Sequence, residues 1–335
     1  MKLLITGGAG FMGSNFIKYI FKKYPGYKII NLDKLTYAGN LDNLTDIQVN
    51  PDYKFIKGDI ADEKLVNTII EQEKPDAVIN YAAETHVDRS IMEPRAFLYT
   101  DIIGTFNLLE AVRKYGLKRM VQISTDEVYG SIEAGEFTES SPFMPNSPYS
   151  ASKAGGDHLC RAYWKTYQTP VIVTHSCNFY GPHQYPEKLI PLFITNLLED
   201  KKVPVYGDGL QTREWIFTND HCQAIDQVLH QGVIGEAYNI GTRQRQKNIE
   251  ITRLLLDMLG KSENYIEFVT DRPGHDQRYA LNSDKLTKDL AWNAAVAFET
   301  GLEQAVDWYK TNRWWWEKIK NGQYLEYYKQ QYEQR

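Results

Sequence analysis

The segment Ile5-Thr6-Gly7-Gly8-Ala9-Gly10-Phe11-Met12-Gly13 constrains the fold more than any other in the chain. It follows a short apolar run, Lys2–Thr6, and leads into a stretch with helical periodicity. Gly7, Gly10 and Gly13 each answer a mechanical need: a tight turn, close backbone approach to a pyrophosphate, and tight packing of a helix on a strand. A helix opening there offers free N–H groups and a positive dipole end to phosphate. Structural loops between strand and helix also carry such glycines, so the spacing needs support from elsewhere.

That support comes first from Asp33, which closes a second expected strand, Lys28–Asp33. An acid at this point binds ribose hydroxyls and repels a 2′-phosphate, which favours NAD over NADP. Lys34 lies beside it. Asp59 closes a third expected strand, 54–59, and either faces the adenine or caps the helix that follows. Further expected strands at 77–81, 119–124 and Val171–Ser176 alternate with helical segments such as Glu63–Glu73 and 94–115. This alternation predicts an α/β chain with a Rossmann-type doubly wound parallel sheet. After Gly181 the prolines Pro182, Pro186, Pro191 and Pro204 and the turn Gly207-Asp208-Gly209 mark shorter, mixed elements. The expected division is an NAD-binding domain over 1–180 and a smaller mixed α/β C-terminal substrate lobe over 181–335, interleaved at the boundary. The aromatic tail, with Trp314–Trp316, Tyr324, Tyr327, Tyr328 and Tyr332, is expected to pack down as a terminal helix.

Composition excludes several classes of function. Of 335 residues 42% are hydrophobic and 24% charged, enough for an ordinary core. The net charge of −5 argues against nucleic acid. No apolar stretch approaches the roughly twenty residues of a membrane span. Cys160, Cys177 and Cys222 are odd in number and widely spaced, so they read as reduced thiols of a cytoplasmic protein. No histidine or cysteine spacing suggests a metal site.

Two further segments carry chemistry. Tyr149 and Lys153 stand four residues apart, which places them on one face of a helix. A tyrosine with a pKa of about 10 is a poor base at neutral pH, but a nearby ammonium and an oxidised nicotinamide favour its phenolate. Ser124-Thr125-Asp126-Glu127 lies at the carboxyl end of an expected strand, where open α/β sheets bind ligands. With a sharp turn both carboxyls face a substrate, one as acid and one as base. The alternative is an acid pair opening a helix capped by Thr125.

These segments belong to a longer series: TGGAGFMGS at 6–14, DKLTYAGN at 33–40, AAETHVDRS at 82–90, STDEVYG at 124–130, SPYSASKAGGDHL at 147–159, NFYGP at 178–182, PEKLIP at 186–191, YNIGT at 238–242 and DRPGHDQRYA at 271–280. The series resembles the extended short-chain dehydrogenase/reductases, and among them the NAD-dependent nucleotide-sugar 4,6-dehydratases that act on dTDP-glucose. The glycine turn and the Tyr/Lys pair mark the superfamily, whereas Thr125-Asp126-Glu127 and the segment at 272–276 discriminate the dehydratases. The resemblance implies a redox-neutral rearrangement. Tyr149 takes the proton of the 4-hydroxyl with Thr125 hydrogen-bonded to it, Glu127 removes the proton of carbon 5, and Asp126 protonates the departing 6-hydroxyl.

The resemblance also implies contacts. Gly10, Phe11 and Met12, with Asp33, Lys34, Leu35 and Thr36, would touch the cofactor. So would Asp59, Ile60, Tyr81, Ala82, Ala83 and Thr100, with Tyr149 and Lys153 at its reactive end. The nucleotide sugar would meet Thr85, Thr125, Asn178, Lys188 and Leu189, then Pro204, Val205, Tyr206, Arg213 and Asn248. Asp271, Arg272, Pro273, Gly274 and His275 complete that set. Arg213 and Arg272 suit a diphosphate, since guanidinium forks match phosphate oxygens. Phe179 departs from the resembled pattern, which has a second asparagine there. A homodimer through the helices near 94–115 and 149–168 is implied as well. A nucleotide-sugar 4-epimerase shares the Tyr/Lys pair but has no need of Asp126 and Glu127. A dehydratase for another nucleotide and a non-catalytic NAD-sensing scaffold on the same fold are the other competing readings.

Overall fold

The computed structural model describes residues 1–271 and 275–333. The first half runs β1 (Lys2–Thr6), α1 (Phe11–Lys23), β2 (Lys28–Asp33), β3 (Tyr53–Lys57), α2 (Glu63–Glu73), β4 (Ala77–Asn80), α3 (Val87–Met92), α4 (Pro94–Phe97), α5 (Thr105–Tyr115), β5 (Arg119–Thr125), α6 (Pro148–Tyr167) and β6 (Val171–Ser176). The second half runs β7 (Asn178–Tyr180), α7 (Leu189–Leu198), β8 (Val203–Tyr206), β9 (Thr212–Phe217), α8 (Thr218–Gln231), β10 (Ala237–Ile240), β11 (Arg245–Lys247), α9 (Asn248–Met258), β12 (Ile266–Val269), α10 (Asp284–Leu290), α11 (Phe298–Thr311), α12 (Arg313–Ile319) and α13 (Gly322–Tyr328).

Seven strands form one parallel sheet in the order β10-β6-β5-β4-β1-β2-β3. This is the doubly wound Rossmann-type architecture expected. Its central strands are apolar on both faces, as strands covered on both sides must be: Leu3, Leu4 and Ile5 are fully buried. Phe16, Ile17 and Ile20 of α1 and Ile225 and Val228 of α8 cover one face. Ile69 and Ile70 of α2 and Leu108, Leu109 and Val112 of α5 cover the other. The strand order reverses between β1 and β4, and this opens a crevice at the carboxyl ends of the strands.

The chain passes between lobes more than once. β7 already belongs to a small sheet, β11-β9-β7, while β10 returns to the edge of the large one. β12 pairs with β8. A second core of Phe193, Leu197, Leu255, Leu302, Tyr309 and Trp316 holds the small lobe together. Among the described residues no helix is long and apolar enough to cross a membrane.

Two expected helices come out differently. The stretch 94–115 is α4, a π-helical turn over Leu98–Gly104, and α5. The wide turn lies where α6 comes closest: a Cβ on Gly156 would stand 2.7 Å from the Asp101 carbonyl oxygen. The aromatic tail is α12, α13 and a π turn at Lys329–Glu333 rather than one helix. Trp315 and Trp316 are buried and Trp314 is exposed.

Candidate active site

A cavity of about 390 Å³ runs along the carboxyl ends of the main-sheet strands and is closed on the far side by the small lobe. Its floor is the glycine turn. Gly7 adopts φ +66°, and a Cβ there would lie 2.6 Å from the Ala82 nitrogen. A Cβ on Gly13 would meet the Gly7 carbonyl oxygen at 2.3 Å. Helix α1 has no side-chain cap and no acid in its first turn, which leaves its first N–H groups to an anionic ligand. The turn therefore fits a pyrophosphate.

Asp33 uses both carboxylate oxygens on backbone N–H groups, at 2.8 Å from Ala9 and 2.8 Å from Leu35. Burial raises its pKa, and N–H groups of Leu35, Ala9 and Gly10 oppose that shift. Asp59 accepts the Ala61 N–H at 2.9 Å and pairs with Lys34 at 2.7 Å. The capping reading fails, because Asp62 and not Asp59 caps α2 by accepting the Leu65 N–H at 3.0 Å, whereas Asp59 lies beyond the end of β3 and lines the cavity. Of the expected cofactor residues only Leu35 does not line the cavity. Its left-handed backbone, φ +54°, turns it away between Lys34 and Thr36.

The reacting end is built by two helix starts. Helix α6 opens with a reciprocal cap in which the Ser147 hydroxyl accepts the Ser150 N–H and the Ser150 hydroxyl accepts the Ser147 N–H, both at 3.0 Å. Pro148 at its first position favours helix entry. This cap fixes Tyr149 in the first turn, with Lys153 one turn on. Lys153 Nζ donates to the Ile123 carbonyl at 2.7 Å. Beyond β5 the chain makes a 3₁₀ turn over Asp126–Tyr129, capped by Thr125, whose hydroxyl accepts the Glu127 N–H at 3.3 Å. Gly130 ends the turn at φ +79°, where a Cβ would clash with the Met144 carbonyl. The sharp turn brings Thr125, Asp126 and Glu127 to the same cavity as Tyr149 and Lys153.

Electrostatics separates the two acids. Burial, then Glu127 and Glu214, push the Asp126 carboxyl well above its usual range. Glu127 is less buried than Asp126. Tyr149 is also raised, by burial first and then by Glu127 and Asp101, while its hydrogen bond from Thr125 lowers it. In the protein alone, burial therefore dominates over the help expected from Lys153.

On the small-lobe side, Thr85, Asn178, Lys188, Leu189, Pro204, Val205, Tyr206, Arg213, Asn248 and His275 line the cavity. Lys188 Nζ donates to the Thr85 carbonyl at 2.5 Å. Arg213 is buried, donates to the carbonyls of Thr212 and Asp276, and lies 4.4 Å from the Tyr279 ring. Asp271 is not on the wall; it holds His275 Nδ1 at 2.6 Å. Arg272, Pro273 and Gly274 lie outside the described residues.

Glu187, Glu84 and Tyr332 line the cavity and escaped the sequence reading, whereas Phe179 is noted there. Glu187 lines the cavity, and behind it Arg89 pairs with it at 3.0 Å and stacks between Tyr37 and Tyr327 at 3.8 and 4.3 Å. Glu84 lines the cavity, and burial followed by Asp101 pushes it up to about 7. Tyr332 reaches the wall from the tail and stacks on Tyr206 at 5.9 Å. Phe179, at the position where the resembled pattern has an amide, packs edge-on against His221 at 4.5 Å. Burial drives His221 down to about 3, so it stays neutral.

Known proteins share this sequence pattern and fold. A family model described as GDP-mannose 4,6 dehydratase matches residues 4–305. A dTDP-glucose 4,6-dehydratase of Xanthomonas campestris pv. campestris is 48% identical, covering 96% of each chain. The chain belongs to the dTDP-glucose 4,6-dehydratase family. Among solved structures, the family member from Bacillus anthracis, in complex with NAD, is 51% identical with a TM-score of 0.90 over 96% of this chain and 100% of its own. DesIV of Streptomyces venezuelae, with NAD and TYD bound, is 48% identical with a TM-score of 0.93 over the same shares. Members are hydro-lyases built on this sheet.

Proposed function

We propose that the protein dehydrates dTDP-glucose to dTDP-4-dehydro-6-deoxy-glucose, releasing water and using a bound NAD that it regenerates within each turnover. The observation that carries this reading is the meeting of Asp126 and Glu127 with Tyr149 in one cavity. A 4-epimerase has no use for that acid pair. The glycine turn, Asp33 to Thr36, Asp59 and Thr100 would hold the cofactor, with Tyr149 and Lys153 at its nicotinamide. That group would supply the acceptor for the hydride of carbon 4 and its donor at carbon 6. Tyr149 takes the 4-hydroxyl proton, helped by Thr125 and by the Lys153 charge once cationic ligand charge offsets its burial. The ketone at carbon 4 acidifies carbon 5, whose proton Glu127 removes. Asp126, kept protonated by burial, gives its proton to the 6-hydroxyl, and water leaves. Arg213, Lys188, Asn248 and His275 would orient the nucleotide diphosphate, and residues 181–335 supply most of that side while 1–180 supply the cofactor side.

Two further parts of the reading concern the whole chain. We read it as cytoplasmic, since Cys160, Cys177 and Cys222 are separate, buried free thiols. We read it as a homodimer, because Met92, Leu98, Tyr99, Ile103, Phe106 and Tyr167 expose apolar side chains along 91–106 and α6.

The test is incubation of the purified protein with dTDP-glucose and no added cofactor, followed by mass spectrometry. Loss of one water from the sugar is expected. An isomer of unchanged mass would indicate epimerisation, and no reaction with dTDP-glucose beside turnover of UDP- or CDP-glucose would move the base specificity. Glu127→Gln is expected to form reduced nicotinamide on mixing with substrate and to release no water.

A further inference from the structure

The dehydration, taken as proposed above, divides its labour between two sets of groups. Oxidation at carbon 4 uses Tyr149, Lys153 and Thr125, while elimination uses Asp126 and Glu127. The acid pair sits on the 3₁₀ turn Asp126–Tyr129, directly after β5. A turn this short has poor hydrogen-bond geometry of its own, so its anchors decide where the two carboxyls point. Both of its ends are anchored to one pair of side chains behind the cavity, Asp157 of α6 and His175 of β6. These are 3% and 2% exposed, and neither lines the cavity.

At the near end the Ser124 hydroxyl donates to Asp157 Oδ2 at 2.6 Å. At the far end the Tyr129 hydroxyl lies 3.0 Å from His175 Nδ1. His175 Nε2 lies 3.2 Å from the same Asp157 Oδ2 and so closes the clamp. Strand register makes this possible. Ser124, His175 and Asn239 stand side by side on β5, β6 and β10, and Tyr129 folds back over that row to donate to Asn239 Oδ1 at 2.9 Å. Asp157 also ties the clamp to the tyrosine base. Tyr149, Lys153 and Asp157 follow one another at four-residue spacing along α6, hence on one face. Successive turns of that face hold successive residues of β5: Lys153 Nζ donates to the Ile123 carbonyl, and Asp157 accepts from Ser124. Among the described residues Asp157 Oδ1 is buried with no hydrogen-bond partner. Apolar residues of similar size commonly fill such a place at less cost, so packing alone gives no reason for a carboxylate there.

We propose that Asp157 and His175 are positioning residues for the elimination step: they clamp both ends of the acid turn and keep Asp126 and Glu127 in register with Tyr149. They touch neither sugar nor cofactor and act only through Ser124 and Tyr129. Thr125 still belongs to β5 and stands opposite Ser176 of β6. Loosening the far end of the clamp therefore frees the acids and spares the groups of the first step.

The test uses His175→Phe, which keeps a ring against Tyr129 and Phe143 and removes both polar contacts, and Tyr129→Phe, which removes only the far-end hydroxyl. Each cofactor-loaded variant is mixed with dTDP-glucose. Reduced nicotinamide, followed by its absorbance, is expected to form at the wild-type rate and then accumulate. Release of water should slow by about 10²-fold in His175→Phe, the scale of a misplaced reacting group, and by less in Tyr129→Phe. KM should stay near its wild-type value. Asp157→Asn, which keeps an oxygen for Ser124, should fall between the wild type and Asp157→Leu in its rate of water release. Without substrate, hydrogen exchange in His175→Phe should rise at the amides of 127–130 while β5 and α6 keep their protection. Equal slowing of both steps, wild-type water release, or unchanged exchange at 127–130 overturns the proposal. Tyr129→Phe carries the same comparison should His175→Phe fail to fold. Absence of water loss from dTDP-glucose in the wild type would instead strike the function itself, and the exchange measurement would still decide the clamp.

Discussion

Asp126 is a carboxyl held at 1% exposure with Glu127 and Glu214 close by, and its pKa stands well above the ordinary 3.8. A carboxyl raised in the folded state keeps its proton over a pH range in which the unfolded chain has already released it. Its contribution to stability is whole below the unfolded value and is lost as pH rises toward the folded one. At neutral pH the group therefore costs stability in return for its chemistry. Asp126→Asn should raise Tm at pH 7 by about 1–2 °C, the equivalent of ~1 kcal/mol in a chain of this length. The gain should shrink to nothing as pH falls below about 4. Thermal unfolding across that pH range checks it, and a pH-independent difference would point to packing rather than ionisation. The same residue shows why parts of the site were readable without a structure. Thr125, Asp126, Glu127, Tyr149 and Lys153 sit in two short segments at element ends, where spacing along the chain decides spacing in space. Arg89, Glu187, Tyr37 and Tyr327 come from four segments, and no local pattern announces that they meet.

At the scale of elements the informative junction is the one between α6 and the π turn at Leu98–Gly104. Hydrophobic periodicity over 94–115 reads as one helix because a single added residue per turn barely alters the apolar pattern. The widened turn lies where a tertiary contact forms, the approach of the Asp101 carbonyl to Gly156. The approach sets Thr100 on the cavity wall and lets the Ser152 hydroxyl donate to the Asp101 carboxylate at 2.7 Å, beside Lys153. Gly156→Ala places a methyl in a gap that has no room for one. It should destabilise the protein by about 1–3 kcal/mol, the usual cost of overpacking. By shifting the turn of α6 that follows Lys153, it should also lower kcat more than it raises KM. Steady-state kinetics with denaturant unfolding would register both. A variant as stable and as active as the wild type would mean that the two elements slide apart freely.

The whole molecule raises the question of what covers the outer side of that same junction. Met92, Leu98, Tyr99, Ile103 and Phe106 are exposed on one stretch, Tyr167 is exposed on the neighbouring α6, and the Phe106 ring meets the Tyr163 ring at 6.2 Å to join them. An apolar surface spread over two packed helices is expensive to leave in water, at about 25 cal/mol per Å². A second copy presenting the same surface would cover it by two-fold symmetry. Because α6 carries Tyr149 and Lys153 on its inner side, an interface on its outer side would also brace the reacting groups. The change to test is the pair Ile103→Glu and Phe106→Glu, which puts four like charges across a symmetric interface. Light scattering should report a dimer for the wild type and a monomer for the double variant, with intact secondary structure. The monomer should keep its cofactor less firmly and lose activity about tenfold or more, since small misplacements of reacting groups are costly. A wild type that is monomeric at assay concentration, or a double variant that remains dimeric, would place the partner surface elsewhere and leave this apolar stretch without its explanation.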